Sequence, residues 1–214
     1  ETLRKKICER GAEYLGCSPD DVEFDGEKVV NLKTKEEITR KEIGNKVMCS
    51  SNAPLSATEA FSSPVSPPPF MVGIAEVEID KETGVVEPID YAAVVDCGTV
   101  VNPNLARVQT EGGIAQGIGM ALYEDIIYSE KGKNYSNSFM QYKIPSRLDV
   151  GEIRVEFESS YEPTGPFGAK SIGEIVINTP SPAISNAVQN AVGVIVRELP
   201  ITAEKVYKGM AEKE

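Results

Sequence analysis

The sequence predicts an α+β fold: antiparallel hairpins packed with helices, in one domain that carries a small N-terminal α/β lobe over about residues 1–50. Three observations predict it. Residues 71–96 alternate apolar and polar side chains on either side of Lys81-Glu82-Thr83-Gly84, the pattern of two long strands and a tight turn, with Ala75, Val77 and Ile79 on one face. Residues 104–123, 181–192 and 202–210 carry helical periodicity, so helices interleave with that hairpin. Finally, 214 residues with 41% hydrophobic content suffice for one good core or two small ones.

Taken in order, residues 2–15 place Leu3, Ile7, Cys8, Ala12 and Leu15 among charges at helical spacing, and Gly16 ends the run. Residues 22–30 alternate around Gly26 and read as a hairpin. Thr34-Lys35-Glu36-Glu37 has the form of a capping box and predicts a short helix to about Ile43. Residues 51–69 are rich in Ser, Pro and Ala and end in Pro67-Pro68-Pro69, which disfavours helix and predicts an extended arm. The main lobe follows over residues 70–214. After its hairpin and long helix, strands are expected near 126–128 and 153–157, with a turn at Lys131-Gly132-Lys133-Asn134 between them. Thr202 is expected to cap the closing helix.

Composition excludes several function classes. Lys+Arg 22 against Asp+Glu 33 gives a net charge of -11, which opposes a nucleic-acid backbone or an anionic membrane surface as partner. The apolar runs are far shorter than a bilayer span, and the first residues hold no signal-peptide core, so a cytoplasmic address is expected. The chain opens at Glu1 rather than methionine, from which we expect a processed product or a piece excised from a longer chain. Cys8, Cys17, Cys49 and Cys97 form no C-x-x-C pair and histidine is absent, so no zinc or iron-sulfur spacing exists and no metal ligand is assigned.

Without histidine, acid-base chemistry near neutral pH falls to a carboxylate. Glu174 is the candidate, because it follows Gly165-Pro166-Phe167-Gly168-Ala169-Lys170-Ser171-Ile172-Gly173, a stretch whose glycines let a ligand approach the main chain. The alternative is structural: a surface turn, then a first-turn glutamate stabilised by the helix dipole. A second candidate site is the helix containing Gln109-Thr110-Glu111-Gly112-Gly113-Ile114-Ala115-Gln116-Gly117-Ile118-Gly119. Each interior glycine costs about 1 kcal/mol relative to alanine, so four of them need a compensating reason. Helical rotation of about 100° per residue puts Gln109 and Gln116 on one side with the glycines, opposite Ile114, Ile118 and Leu122. That bare face either receives a ligand or packs against another backbone through Gly113-x-x-x-Gly117. Neither G-x-G-x-x-G nor G-K-[ST] is present, so phosphate cradles of those kinds are excluded.

Four segments together resemble the C-terminal part of the molybdenum-cofactor subunit of the xanthine dehydrogenase and aldehyde oxidase family. They are Ala75-Glu76-Val77-Glu78-Ile79-Asp80 with Thr83-Gly84; Asp96-Cys97-Gly98 through Asn102-Pro103 and residues 109–119; Tyr142-Lys143-Ile144-Pro145-Ser146 with Asp149; and residues 168–174 with Pro182-Ala183-Ile184-Ser185-Asn186-Ala187. The resemblance covers about residues 70–210. It departs at Val108, where the family often has glycine, and at Ile175-Val176, where it usually has a proline pair.

What this resemblance implies is hydroxylation of an electron-poor carbon in a heterocycle or aldehyde, with water as oxygen source and a molybdenum-pterin as redox centre. Glu174 would be the base, Gln109 would hydrogen-bond the pterin or its phosphate tail, and Gly173 would give backbone contact beside the metal. The cofactor would be shared with upstream sequence, so the isolated chain is expected to lack tight cofactor binding and turnover. Iron-sulfur and FAD centres are expected on partner domains or subunits. The Glu162 to Gly168 context resembles purine-hydroxylating members, which implies xanthine or hypoxanthine as substrate. An aldehyde oxidoreductase and a nicotinate-type hydroxylase are the enzyme alternatives, and a non-catalytic scaffold subunit is the alternative from another class.

Overall fold

The computed structural model describes residues 1–50 and 54–212, so residues 51–53 of the predicted arm lie outside the described residues. The chain divides into two units, Glu1–Ser62 and Ser63–Glu214. Residues 54–69 form neither helix nor strand. Among the described residues no helix is long and apolar enough to cross a membrane.

In the first unit, helix α1 (Thr2–Leu15) buries Ile7 and Ala12 and stops where Gly16 takes the left-handed conformation, φ 66°. Strands β1 (Val22–Phe24), β2 (Lys28–Asn31) and β3 (Glu37–Thr39) form an antiparallel sheet in that order, followed by helix α2 (Arg40–Cys49). Its small core gathers Ile7, Phe24, Val29, Ile38, Ile43 and Val47. The helix expected from Thr34 is therefore misplaced. The capping box is Thr39 with Glu42: the Thr39 hydroxyl accepts from the Glu42 amide at 3.2 Å, and the Glu42 carboxylate accepts from the Thr39 amide at 2.9 Å. Thr34 instead sits in the β2–β3 turn, its amide donating to the Asn31 side chain at 3.1 Å. Ile38 decides between the two boxes, because it pairs with Val29 and is buried, which commits residues 37–39 to a strand.

The second unit is built on the predicted hairpin, β4 (Phe70–Ile79) and β5 (Val86–Asp96), with a register shift at Glu76/Val77. Met71, Ala75, Val77 and Ile79 turn towards the core, while Phe70, Val72 and Ile74 are exposed. Strand β6 (Glu152–Glu158) joins β5 in parallel, Asp90 opposite Glu152 through Asp96 opposite Glu158. No strand forms at residues 126–128. Tyr128 makes one isolated bridge to Asn134 around the expected turn, and Ile126, Ile127 and Tyr128 are all exposed, so no burial rewards extending the pair. Helix α3 (Pro103–Leu122) starts at Asn102, whose side chain accepts from the Leu105 amide at 3.1 Å. It buries Ile114, Ile118, Ala121 and Leu122 in a core shared with Tyr91, Val95, Val155, Ile184, Val188 and Val206. A one-turn helix α4 (Ile175–Asn178) runs into α5 (Pro180–Val192), and Thr202 caps the closing helix α6 (Ala203–Ala211) through the Lys205 amide.

Candidate functional site

The glycine face of α3 is mostly occupied by protein. A Cβ built on Gly113 would lie 2.2 Å from Cγ2 and 2.9 Å from Cβ of Val176, and one on Gly117 would lie 2.6 Å from Cγ of Pro180 and 2.9 Å from the Ile177 carbonyl oxygen. These two glycines exist so that α4 and the start of α5 can lie against α3. Gly119 likewise makes room for Glu124. Gly112 differs, since nothing lies within 4 Å of a Cβ placed there. The face expected to be bare is thus reduced to one edge, on which Gln109, Gly112 and Gln116 are exposed.

That edge forms one wall of a groove of about 420 Å³, lined by Val108, Gln109, Gly112, Gly113, Gln116, Gly173, Glu174 and Ile177. The three residues singled out in the sequence, Gln109, Gly173 and Glu174, therefore line the same groove although 64 positions separate the first two. Gln116 lines it as well. The signal for Gln116 was its seven-residue spacing from Gln109, which returns it to nearly the same side of the helix.

Packing fixes the far wall. Glu174 is the residue before α4, and its side chain makes no capping hydrogen bond and is exposed. After it, Val176 is fully buried against Gly113. Where α4 meets α5, Thr179 accepts a hydrogen bond from the phenol of Tyr91 at 3.0 Å. Tyr91 reaches it across β4 because Gly73 has no side chain: a Cβ there would lie 1.9 Å from the Tyr91 hydroxyl. Burial pushes the Tyr91 phenol above its ordinary pKa.

Before Glu174, the chain is tied to the end of β5. Gly98 has φ 69° and lies so close to residue 168 that a Cβ would sit 2.3 Å from the Gly168 carbonyl oxygen. That carbonyl accepts from the Thr99 amide at 2.7 Å, and the Lys170 amide donates to the Cys97 carbonyl at 2.7 Å. The Lys170 ammonium, with 7% side-chain exposure, meets the Asp96 carboxylate at 2.5 Å and lies 5.4 Å from the centre of the Phe70 ring. Asp96 also accepts from the Ser160 hydroxyl at 2.6 Å and the Gly98 amide at 3.0 Å. Led by the Lys170 contact and then by Ser160, these partners hold the Asp96 carboxyl down at about 2. The segment 166–168 is a single 3-10 turn in which exposed Phe167 adopts φ 55°.

The family model described as a molybdopterin cofactor-binding domain matches residues 1–151. The chain belongs to this family. The molybdopterin-binding domain is 35% identical over 98% of its length to the probable hypoxanthine oxidase XdhD of Escherichia coli, covering 22% of that protein. Two solved structures share its fold. The Cu,Mo-CO dehydrogenase has a TM-score of 0.80 and 25% identity, and quinoline 2-oxidoreductase of Pseudomonas putida has 0.79 and 27%; each match covers 99% of this chain and 28% of the other. The domain therefore spans about a quarter of the length of the relatives it matches.

The groove fits such a cofactor on two counts. Gly112 and Gly173 each leave open space where a Cβ would stand, so a flat ring system can approach the backbone. Gln109 and Gln116 supply amides that both donate and accept, the chemistry that matches a pterin edge.

Proposed function

We propose that this domain is the part of a molybdenum hydroxylase that supplies its base, Glu174, together with part of the cofactor cradle, Gln109 and Gly173, and that the substrate is a purine such as xanthine or hypoxanthine. The observation that carries the reading is the single groove lined by Gln109, Gly173 and Glu174. When bound, the molybdenum-pterin supplies the redox chemistry, taking two electrons from the substrate carbon while water provides the oxygen. Glu174 takes the proton whose loss makes that oxygen nucleophilic, at a carboxylate not engaged in capping α4. The Gln109 and Gln116 amides orient the pterin, and Gly173 keeps the approach to the base clear of side chains. The remaining cradle and the substrate-gripping residues belong to the rest of the molybdenum subunit, so the isolated domain neither holds the cofactor tightly nor turns over. Electrons leave through iron-sulfur and flavin centres on partner domains or subunits.

The purine reading is supported by the likeness to the probable hypoxanthine oxidase of E. coli and by the Glu162 to Gly168 context. A second reading, an aldehyde or other N-heterocycle hydroxylase, is favoured by the quinoline 2-oxidoreductase match. Steady-state assays of the complete enzyme on hypoxanthine, xanthine, nicotinate, quinoline and an aromatic aldehyde separate them. The purine reading expects kcat/KM for a purine at least tenfold above the others, and a preference for aldehyde or quinoline overturns it. Turnover of none of the panel favours a scaffold role.

A further inference from the structure

We propose that Asp96, acting through Lys170, is a positioning residue for Glu174. The inference rests on the reading of Glu174 as the base. Gly173 contributes no side chain and has open space beside it, so Glu174 is placed by its neighbours on either side. Downstream the anchor is apolar, Val176 packed on Gly113. Upstream Ile172 packs on the core, and the polar anchor is Lys170, four residues before the base.

Lys170 is an unusual choice for a merely structural position. A lysine with 7% side-chain exposure loses most of its hydration, and this is tolerated only where a partner restores it. Asp96 is that partner, and it is itself immobilised by Ser160 and the Gly98 amide, so the pair has one geometry. Glu162, whose carboxyl is held below its ordinary range chiefly by Thr164 and also by Lys170, is occupied by the amide and hydroxyl of Thr164 at 2.9 and 2.6 Å. The backbone bonds Thr99 to Gly168 and Lys170 to Cys97 add two more ties at the same place. The end of β5 thus holds the lead-in to the glutamate at a fixed distance from the sheet, and α3 packs on that same sheet. Displacing a reacting group by about 1 Å costs on the order of 100-fold in rate.

The test uses Lys170→Met, Asp96→Asn and the charge-free double variant in the complete molybdenum enzyme, each made with and without Glu174→Gln. With Glu174 present, each is expected to lower kcat about 10- to 100-fold while KM stays within about twofold and molybdenum content is unchanged. In the Glu174→Gln background the same changes are expected to cost less than about twofold, because no base is left to be misplaced. Equal losses in both backgrounds, or unchanged kcat in variants that are folded and loaded, overturn the positioning role alone. Retained turnover in Glu174→Gln itself overturns the reading of the base. Should the single variants misfold, the double variant removes both charges together, and amide exchange on the parent chain gives an independent check. The Thr99 and Lys170 amides should be among the most protected outside helices and strands, and rapid exchange there contradicts a fixed anchor.

Discussion

Gly112 and Gly113 are adjacent in sequence and share the same intrinsic helix cost, yet replacing each by alanine has opposite expected outcomes. Alanine gains about 1 kcal/mol over glycine inside a helix. At Gly112 nothing offsets that gain, since no atom lies within 4 Å of the new methyl. At Gly113 the methyl would stand 2.9 Å from Val176 Cβ, the stem of a stiff, fully buried side chain, so α4 itself must move. With Val176 Cγ2 at only 2.2 Å as well, the overpacking falls in the upper part of the usual range, about 2–3 kcal/mol, leaving a net loss of about 1–2 kcal/mol after the propensity gain. For a unit of this size each kcal/mol moves the midpoint by about 2–4 °C. Scanning calorimetry of the domain should therefore show Gly112→Ala melting about 2–4 °C higher and Gly113→Ala about 2–8 °C lower than the parent. Gly113→Ala at or above the parent midpoint, or Gly112→Ala as damaged as Gly113→Ala, refutes the packing argument. The same Gly112→Ala methyl enters the groove between Gln109 and Gln116, so in the complete enzyme it should lower molybdenum content while raising stability.

Acid stability carries the signature of Asp96. Its carboxyl titrates lower in the folded chain, about 2, than at its ordinary value of 3.8, so its stabilisation is complete above pH 3.8 and is lost as pH falls through 2. A shift of that size corresponds to about 2 kcal/mol, and denaturant midpoints of Asp96→Asn and parent should differ at pH 6 and converge near pH 2; a constant difference contradicts this. In the first unit, Thr39→Ala removes the cap of α2 and should cost about 1 kcal/mol, whereas Thr34→Ala should cost less, which urea unfolding followed by circular dichroism distinguishes.

The elements that were legible in the sequence are those whose signal is local. The β4–β5 hairpin follows from alternation about Thr83-Gly84, and α3 follows from the helical periodicity of residues 104–123 with its Ile114, Ile118, Leu122 stripe. Where two local signals compete, the sequence does not arbitrate. Thr34 to Glu37 and Thr39 to Glu42 both spell a capping box, and only the burial of Ile38 against the first core selects the second. The parallel addition of β6 depends on which edge of β5 is free, information that no window of residues contains, whereas the Tyr128 to Asn134 pair stays a lone bridge because the residues around it are exposed. The site divides in the same way. Glu174, Gln109 and Gly173 were visible as residue types in a glycine context, but not that Gly113 and Gly117 serve helix packing while Gly112 serves the groove. The Asp96 to Lys170 ion pair joins residues 74 positions apart and is a product of the fold alone.

The proposed role of Glu174 as the base of a molybdenum hydroxylase is tested by steady-state turnover of Glu174→Gln in the complete enzyme, measured beside its molybdenum content. Glutamine keeps the shape of the groove and removes the proton acceptor. The variant is expected to show stoichiometric molybdenum, a parental melting midpoint and a kcat reduced by about 100- to 10,000-fold. Turnover within a few-fold of the parent, with metal retained, would contradict it.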